Sequence, residues 1–158
     1  MEFFTIGVFK LTEKEYFKKL TDNYVDTFCD IRQRRGVRGS EYSFVNSIYL
    51  QSKLNEQGII YGHIIELAPT TEIRELQKKA DNELGEHKRD RNQLGSVFAT
   101  AYRDTILSKF DFENFIEKLE EVGANRVVLF CVEEKQEACH RSIVAEKLEQ
   151  LGYNITHL

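Results

Sequence analysis

Apolar residues along this chain gather in five short runs, separated by longer stretches in which they recur every three or four positions. FFTIGVF (3–9), VDTFCDI (25–31), IIYGHI (59–64), RVVLFCV (126–132) and the closing YNITHL (153–158) are rich in β-branched and aromatic residues. Runs this short predict strands. The stretch LTEKEYFKKL (11–20) places Thr12 and Glu15 at capping-box spacing and predicts a helix after the first strand. SFVNSIYLQSKLNEQ (43–57) has Phe44, Ile48, Leu50 and Leu54 near helical spacing, with Gly58 as its stop. The single proline, Pro69, opens a region of two or three helices at about 70–122, and SIVAEKLEQLG (142–152) is a last helix stopped by Gly152.

Strands alternating with helices predict an α/β fold: one domain over residues 1–158, doubly wound. Its sheet is mostly parallel and five-stranded, with helices on both faces and extra helices between strands three and four. RVVLFCV is the most hydrophobic run, as a central parallel strand covered on both faces requires. Ligands of such sheets bind outside the carboxyl ends of the strands. With a strand order of 3-2-1-4-5, the loops at Gly7–Lys10, Arg32–Arg38 and Glu133–Cys139 converge on one cleft.

The 158 residues suffice for one core without disulfides or a structural metal. Apolar residues make up 41% and charged residues 30%, and no apolar run approaches the roughly eighteen residues of a membrane span. The N-terminus carries Glu2 and no basic flank, unlike a signal peptide, which points to a cytoplasmic protein with no membrane partner. Three cysteines then stay as thiols. The net charge of −4 argues against nucleic-acid binding by the whole surface. Locally, however, Arg32, Arg34, Arg35 and Arg38 fall within seven residues without an acid, and His87, Lys88, Arg89 and Arg91 form a second, mixed-charge cluster.

The candidate chemistry centres on Cys139-His140-Arg141 at the start of the last helix, where unpaired N–H groups and the helix dipole favour a thiolate or a bound anion. Cys139 is the candidate nucleophile, His140 the acid or base and Glu133 the orienting carboxylate. Arg32, Arg35 and Arg141 are candidates for bidentate capture of a phosphate-bearing ligand, with Asp30, Gly7 and Tyr102 beside them. His63 and Glu66, after the third strand, rank lower. Cys29 and Cys131 read as core thiols. The residues name no cofactor. Cys131, Cys139, His140 and a more distant His63 could instead hold zinc, although the thiol spacing departs from the tight pattern of structural zinc sites.

Several segments resemble the domain-of-unknown-function family four-eight-eight: TIG (5–7), VDTFCDIR (25–32), GIIYGHIIEL (58–67), AYRD (101–104), CVEEKQEACHRSIVAEKL (131–148) and the terminal ITHL. The most specific part is Cys-x-Glu followed by Cys-His-Arg, carried by Cys131, Glu133, Cys139, His140 and Arg141, with His157 in the closing strand. Members commonly read TIGHS where this chain has Thr5-Ile6-Gly7-Val8-Phe9, and a proline where it has Gln33-Arg34-Arg35. The resemblance implies an α/β fold with a site at these positions and carries no reaction. Three functions stay open: a pocket for a phosphate-bearing small molecule or nucleotide, with Cys-dependent chemistry; a non-catalytic nucleic-acid-binding module; and a Cys/His metal-binding protein.

Overall fold

The computed structural model describes residues 1–85 and 94–158, and the mixed-charge cluster at 87–91 lies outside the described residues. All five apolar runs form strands: β1 (Glu2–Ile6), β2 (Thr27–Asp30), β3 (Ile60–His63), β4 (Arg126–Phe130) and β5 (Ile155–His157). Every pairing is parallel. The strand order is β3-β2-β4-β1-β5, which corrects the expected 3-2-1-4-5. β4 lies between β2 and β1, with Val127 aligned to both Thr27 and Phe3. The middle of the sheet, which the expected order gave to β1, goes to β4, whose Val127 to Phe130 have no exposed surface and are covered on both faces.

The helices are α1 (Glu13–Asp22), α2 (Ser47–Glu56), α3 (Thr71–Leu84), α4 (Ser96–Tyr102), α5 (Phe112–Glu121) and α6 (Arg141–Gln150). The chain moves from β1 to β2 to β3 in one direction across the sheet, then returns over β2 to β4 and passes over β1 to β5. Right-handed crossovers therefore put α1 and α2 on one face, and α5 and α6 on the other. α1 has the predicted capping box, Thr12 Oγ1 accepting from the Glu15 N–H and the Glu15 carboxylate from the Thr12 N–H. Gly58 and Gly152 stop their helices with φ of 71° and 94°, a backbone region that costs glycine little.

The helix predicted at 43–57 is divided. A 3-10 turn at Ser43–Val45 leads to extended Asn46, and α2 begins only at Ser47. Asn46 uses its side-chain oxygen to accept from the Val37 N–H at 2.8 Å, which ties the arginine loop to the start of α2. An aromatic cluster of Tyr16, Phe28, Phe44 and Phe130 fills the core beneath that loop. No helix among the described residues is long and apolar enough to cross a membrane.

Candidate functional site

Three strand exits are tied together at the carboxyl end of the sheet. The N–H groups of Val8 and Phe9 both donate to the Val132 carbonyl at 3.1 Å, joining the loop after β1 to the loop after β4. Gly7 makes this possible, because a Cβ there would lie 1.9 Å from the Glu133 carbonyl oxygen. His140 Nε2 meets the Ile31 carbonyl at 3.1 Å, joining the start of α6 to the exit of β2. Between β2 and β4 the connections leave in opposite directions, and a cleft opens there, as parallel sheets require. Its cavity is about 590 Å³ and includes Arg32, Arg34, Arg38, Arg74, Cys131, Glu133, Cys139 and His140 in its walls.

The β2 side of the cleft rests on a buried ion pair. Asp30 is fully buried and accepts from the Arg32 backbone N–H at 3.1 Å, Arg32 Nε at 2.8 Å, Arg32 Nη2 at 2.7 Å and the Tyr61 hydroxyl at 2.9 Å. Burial works against the Arg32 charge, but the Asp30 hydrogen bonds and charge prevail and raise its pKa. Arg32 Nη2 also donates to the Val45 carbonyl at 3.0 Å, and its guanidinium carbon lies 4.5 Å from the Phe130 ring centre. Nη1 is buried and has no hydrogen-bond partner among the described residues.

The β4 side carries the thiols. Cys131 Sγ, Cys139 Sγ and a His140 ring nitrogen lie within 4.8 Å of one another, all buried. The Ile31 carbonyl can only accept, so Nε2 carries the proton and the lone pair of neutral His140 sits on Nδ1, 3.7 Å from Cys139 Sγ. The Cys131 thiol donates to the Glu133 carboxylate at 3.1 Å. The hydrogen bond with Cys139 and then burial push Cys131 well above the ordinary thiol range. Burial lowers the His140 pKa, but Cys131, Glu133 and the Ile31 carbonyl outweigh it and the net direction is upward. Tyr102 packs beside the imidazole at 5.4 Å between ring centres and donates its hydroxyl to the Leu67 carbonyl at 2.5 Å.

Of the residues singled out from the sequence, Arg32, Glu133, Cys139 and His140 line the cleft. Asp30 stands behind Arg32, and Tyr102 behind His140. Arg141 is 2% exposed and gives Nη1 to the Glu133 carbonyl at 2.6 Å and Nη2 to the Glu134 carbonyl at 2.8 Å, so it fastens the turn after β4. Gly7 permits the close approach of two loops. Arg35 is exposed outside the cleft walls, against Tyr61. His63 stands apart from the thiols, its Nε2 2.9 Å from the Arg32 carbonyl. Sequence reasoning overlooked Arg74 of α3, whose Nη1 donates to Gln33 at 2.6 Å beside the cleft. Nothing local marks it, because it is a helix arginine forty-two residues beyond the first of the loop. Cys131, read as a core thiol, is as buried as expected but also faces Cys139.

The family model described as "Domain of unknown function DUF488" matches residues 12–148. No curated protein and no solved structure matches the chain.

Proposed function

The chain belongs to the DUF488 family, a description without a reaction, so the site itself must supply the reading: we propose that the cleft between β2 and β4 binds a phosphate-bearing small molecule of about nucleotide size. The observation that carries this reading is the meeting, in one cavity, of cations from two separate segments with a buried thiol–imidazole floor. Arg32, Arg34 and Arg38 come from the loop after β2, and Arg74 and Lys78 from α3. Asp30 neutralises Arg32, so among the described residues four cations face three carboxylates in the same walls, Glu75, Asp81 and Glu133, which leaves a surplus of one positive charge. The volume falls in the range of small-molecule sites, about 300–1,000 Å³. The planar guanidinium forks suit phosphate oxygens, and Phe9, Tyr42 and Phe98 supply apolar wall for the rest of the ligand. Cys139 and His140 are the floor groups such a ligand meets.

Calorimetric titration with inorganic phosphate and a panel of mononucleotides, at low salt, tests this. Expected is one site, weakened by about tenfold or more when Arg34 and Arg38 are both replaced by alanine, since each exposed guanidinium contributes about 1 kcal/mol to a phosphate contact. The absence of binding by every phosphate compound would overturn the reading, as would an unchanged affinity in the double variant. Binding only to long oligonucleotides, with a steep salt dependence, would replace it by the nucleic-acid module.

A further inference from the structure

The floor of the cleft presents three donor atoms of a kind that soft divalent cations prefer: two sulfurs and one imidazole nitrogen. We propose that Cys131, Cys139 and His140 form a three-ligand site for a thiophilic divalent cation of the zinc type, with a fourth coordination position open to the cleft. The inference goes beyond the anion-binding reading and rests on it only for what occupies that fourth position.

The donor distances fit a tetrahedral site. Zinc bound at about 2.3 Å to sulfur and about 2.1 Å to nitrogen has tetrahedral edges of about 3.6 Å between S and N and about 3.8 Å between two S. Cys139 Sγ and His140 Nδ1 are already 3.7 Å apart. All three donors lie within 4.8 Å of one another, so completing the triangle asks for side-chain adjustments on the order of 1 Å.

The orientation of His140 is the second, independent observation. Histidines that hold metals characteristically donate their other ring nitrogen to a carbonyl or carboxylate, which fixes both the tautomer and the direction of the lone pair. Here Nε2 is held by the Ile31 carbonyl, and Nδ1 is left facing the thiols. Tyr102 confines the ring from the side, with its own hydroxyl anchored on Leu67. The ligand loop is held as firmly, because Arg141 fastens the carbonyls of Glu133 and Glu134 between the two cysteines.

On binding, each thiol gives its proton to solvent; two thiolates and a neutral imidazole balance a divalent cation, and the cation also attracts the buried Glu133 carboxylate, which lies 3.1 Å from Cys131 Sγ. Arg32 adds little repulsion because Asp30 neutralises it in a bidentate pair. Three protein ligands leave one tetrahedral position, and all three residues line the cavity, so that position faces the cleft. Three protein ligands with one open position are typical of catalytic zinc, whereas structural zinc is closed by four.

Cobalt(II), which mimics zinc and is coloured, makes the test direct. Chelator-treated full-length protein is titrated with cobalt and then back-titrated with zinc. Expected is one equivalent, with an intense sulfur-to-cobalt charge-transfer band and visible bands of tetrahedral strength, both erased by zinc. Cys139→Ser and His140→Gln are expected to weaken binding by at least about 100-fold, the upper range for losing even an outer-sphere partner. Cys29→Ser, on β2 and outside the cluster, is expected to bind as the parent does. A parent protein without the charge-transfer band would overturn the proposal, as would a Cys139→Ser variant that binds cobalt as tightly as the parent. The parent spectrum decides the matter even if a variant fails to fold. Phosphate titration of the metal-free protein separates the two readings: phosphate binding without cobalt binding sinks the metal site alone, and cobalt binding without phosphate binding sinks the anion cleft alone.

Discussion

Asp30 is a side chain whose loss the cleft wall could not absorb. It has no exposed surface and accepts four hydrogen bonds, three of them from Arg32. Replacing it by alanine leaves a guanidinium buried without its counter-charge, which costs about 3–5 kcal/mol. Tyr61→Phe leaves the ion pair in place and removes the phenol's hydrogen bond to Asp30 together with its contact to exposed Arg35, and is expected to cost about 1.5–3 kcal/mol. Urea unfolding of both variants checks the ranking; equal losses would mean that the ion pair contributes no more than the phenol contact. Cys29 offers a separate, pH-dependent readout, because burial pushes its thiol up to about 12. A folded-state value above the unfolded one favours the neutral thiol, so this contribution is complete below about pH 9 and is lost as pH rises toward 12. Relative to Cys29→Ala, the parent is expected to lose on the order of 4 kcal/mol across that window. Unfolding midpoints of the two proteins from pH 8 to 11 would show it as a narrowing gap, and a constant gap would refute it.

At the scale of elements, the cleft depends on two loops lying closer than side chains normally allow. The exit of β1 meets the exit of β4 through the paired N–H groups of Val8 and Phe9, and only the missing Cβ of Gly7 leaves space for the Glu133 carbonyl. Gly7→Ala would place a carbon 1.9 Å from that oxygen and 3.1 Å from Arg141 Nη2. Backbone on both sides has to move, so the expected loss is about 3 kcal/mol or more, and the hold of Arg141 on the turn is disturbed with it. Gly36→Ala is the control. An added Cβ there would find its nearest neighbour, Asn46 Oδ1, at 3.8 Å, and the expected change lies within about 0.5 kcal/mol. Thermal melts of the pair measure the contrast; a mild Gly7→Ala would show that the two loops can separate freely.

Across the whole molecule, the strands were readable from the sequence because each is a dense apolar run, and α1 because its capping box is local. The strand order was not. Whether β4 lies between β1 and β2 or beyond them depends on how far the chain returns after α5, a property of packing that no short stretch records. The site was readable to the same degree. Cys139, His140 and Arg32 sit where a strand exit or a helix start put them, whereas the burial of Arg141 follows from two carbonyls supplied by the preceding turn. Arg74 reaches the cleft only because α3 folds back over the β2 exit. The observed order has a dynamic consequence. β4 is hydrogen-bonded on both sides, by β1 and β2, while β5 is a three-residue edge strand held by β1 alone and extended by the Leu158 N–H to the Thr5 carbonyl at 2.9 Å. Opening β5 breaks one ladder and exposes little core, but opening β4 exposes Val127 to Phe130 and divides the sheet at the cleft. Native-state hydrogen exchange is therefore expected to find the β4 amides exchanging only through global unfolding, and those of β5 through a local opening several kcal/mol below it. Protection of β5 equal to that of β4 would mean that the terminal strand belongs to the same cooperative unit as the cleft.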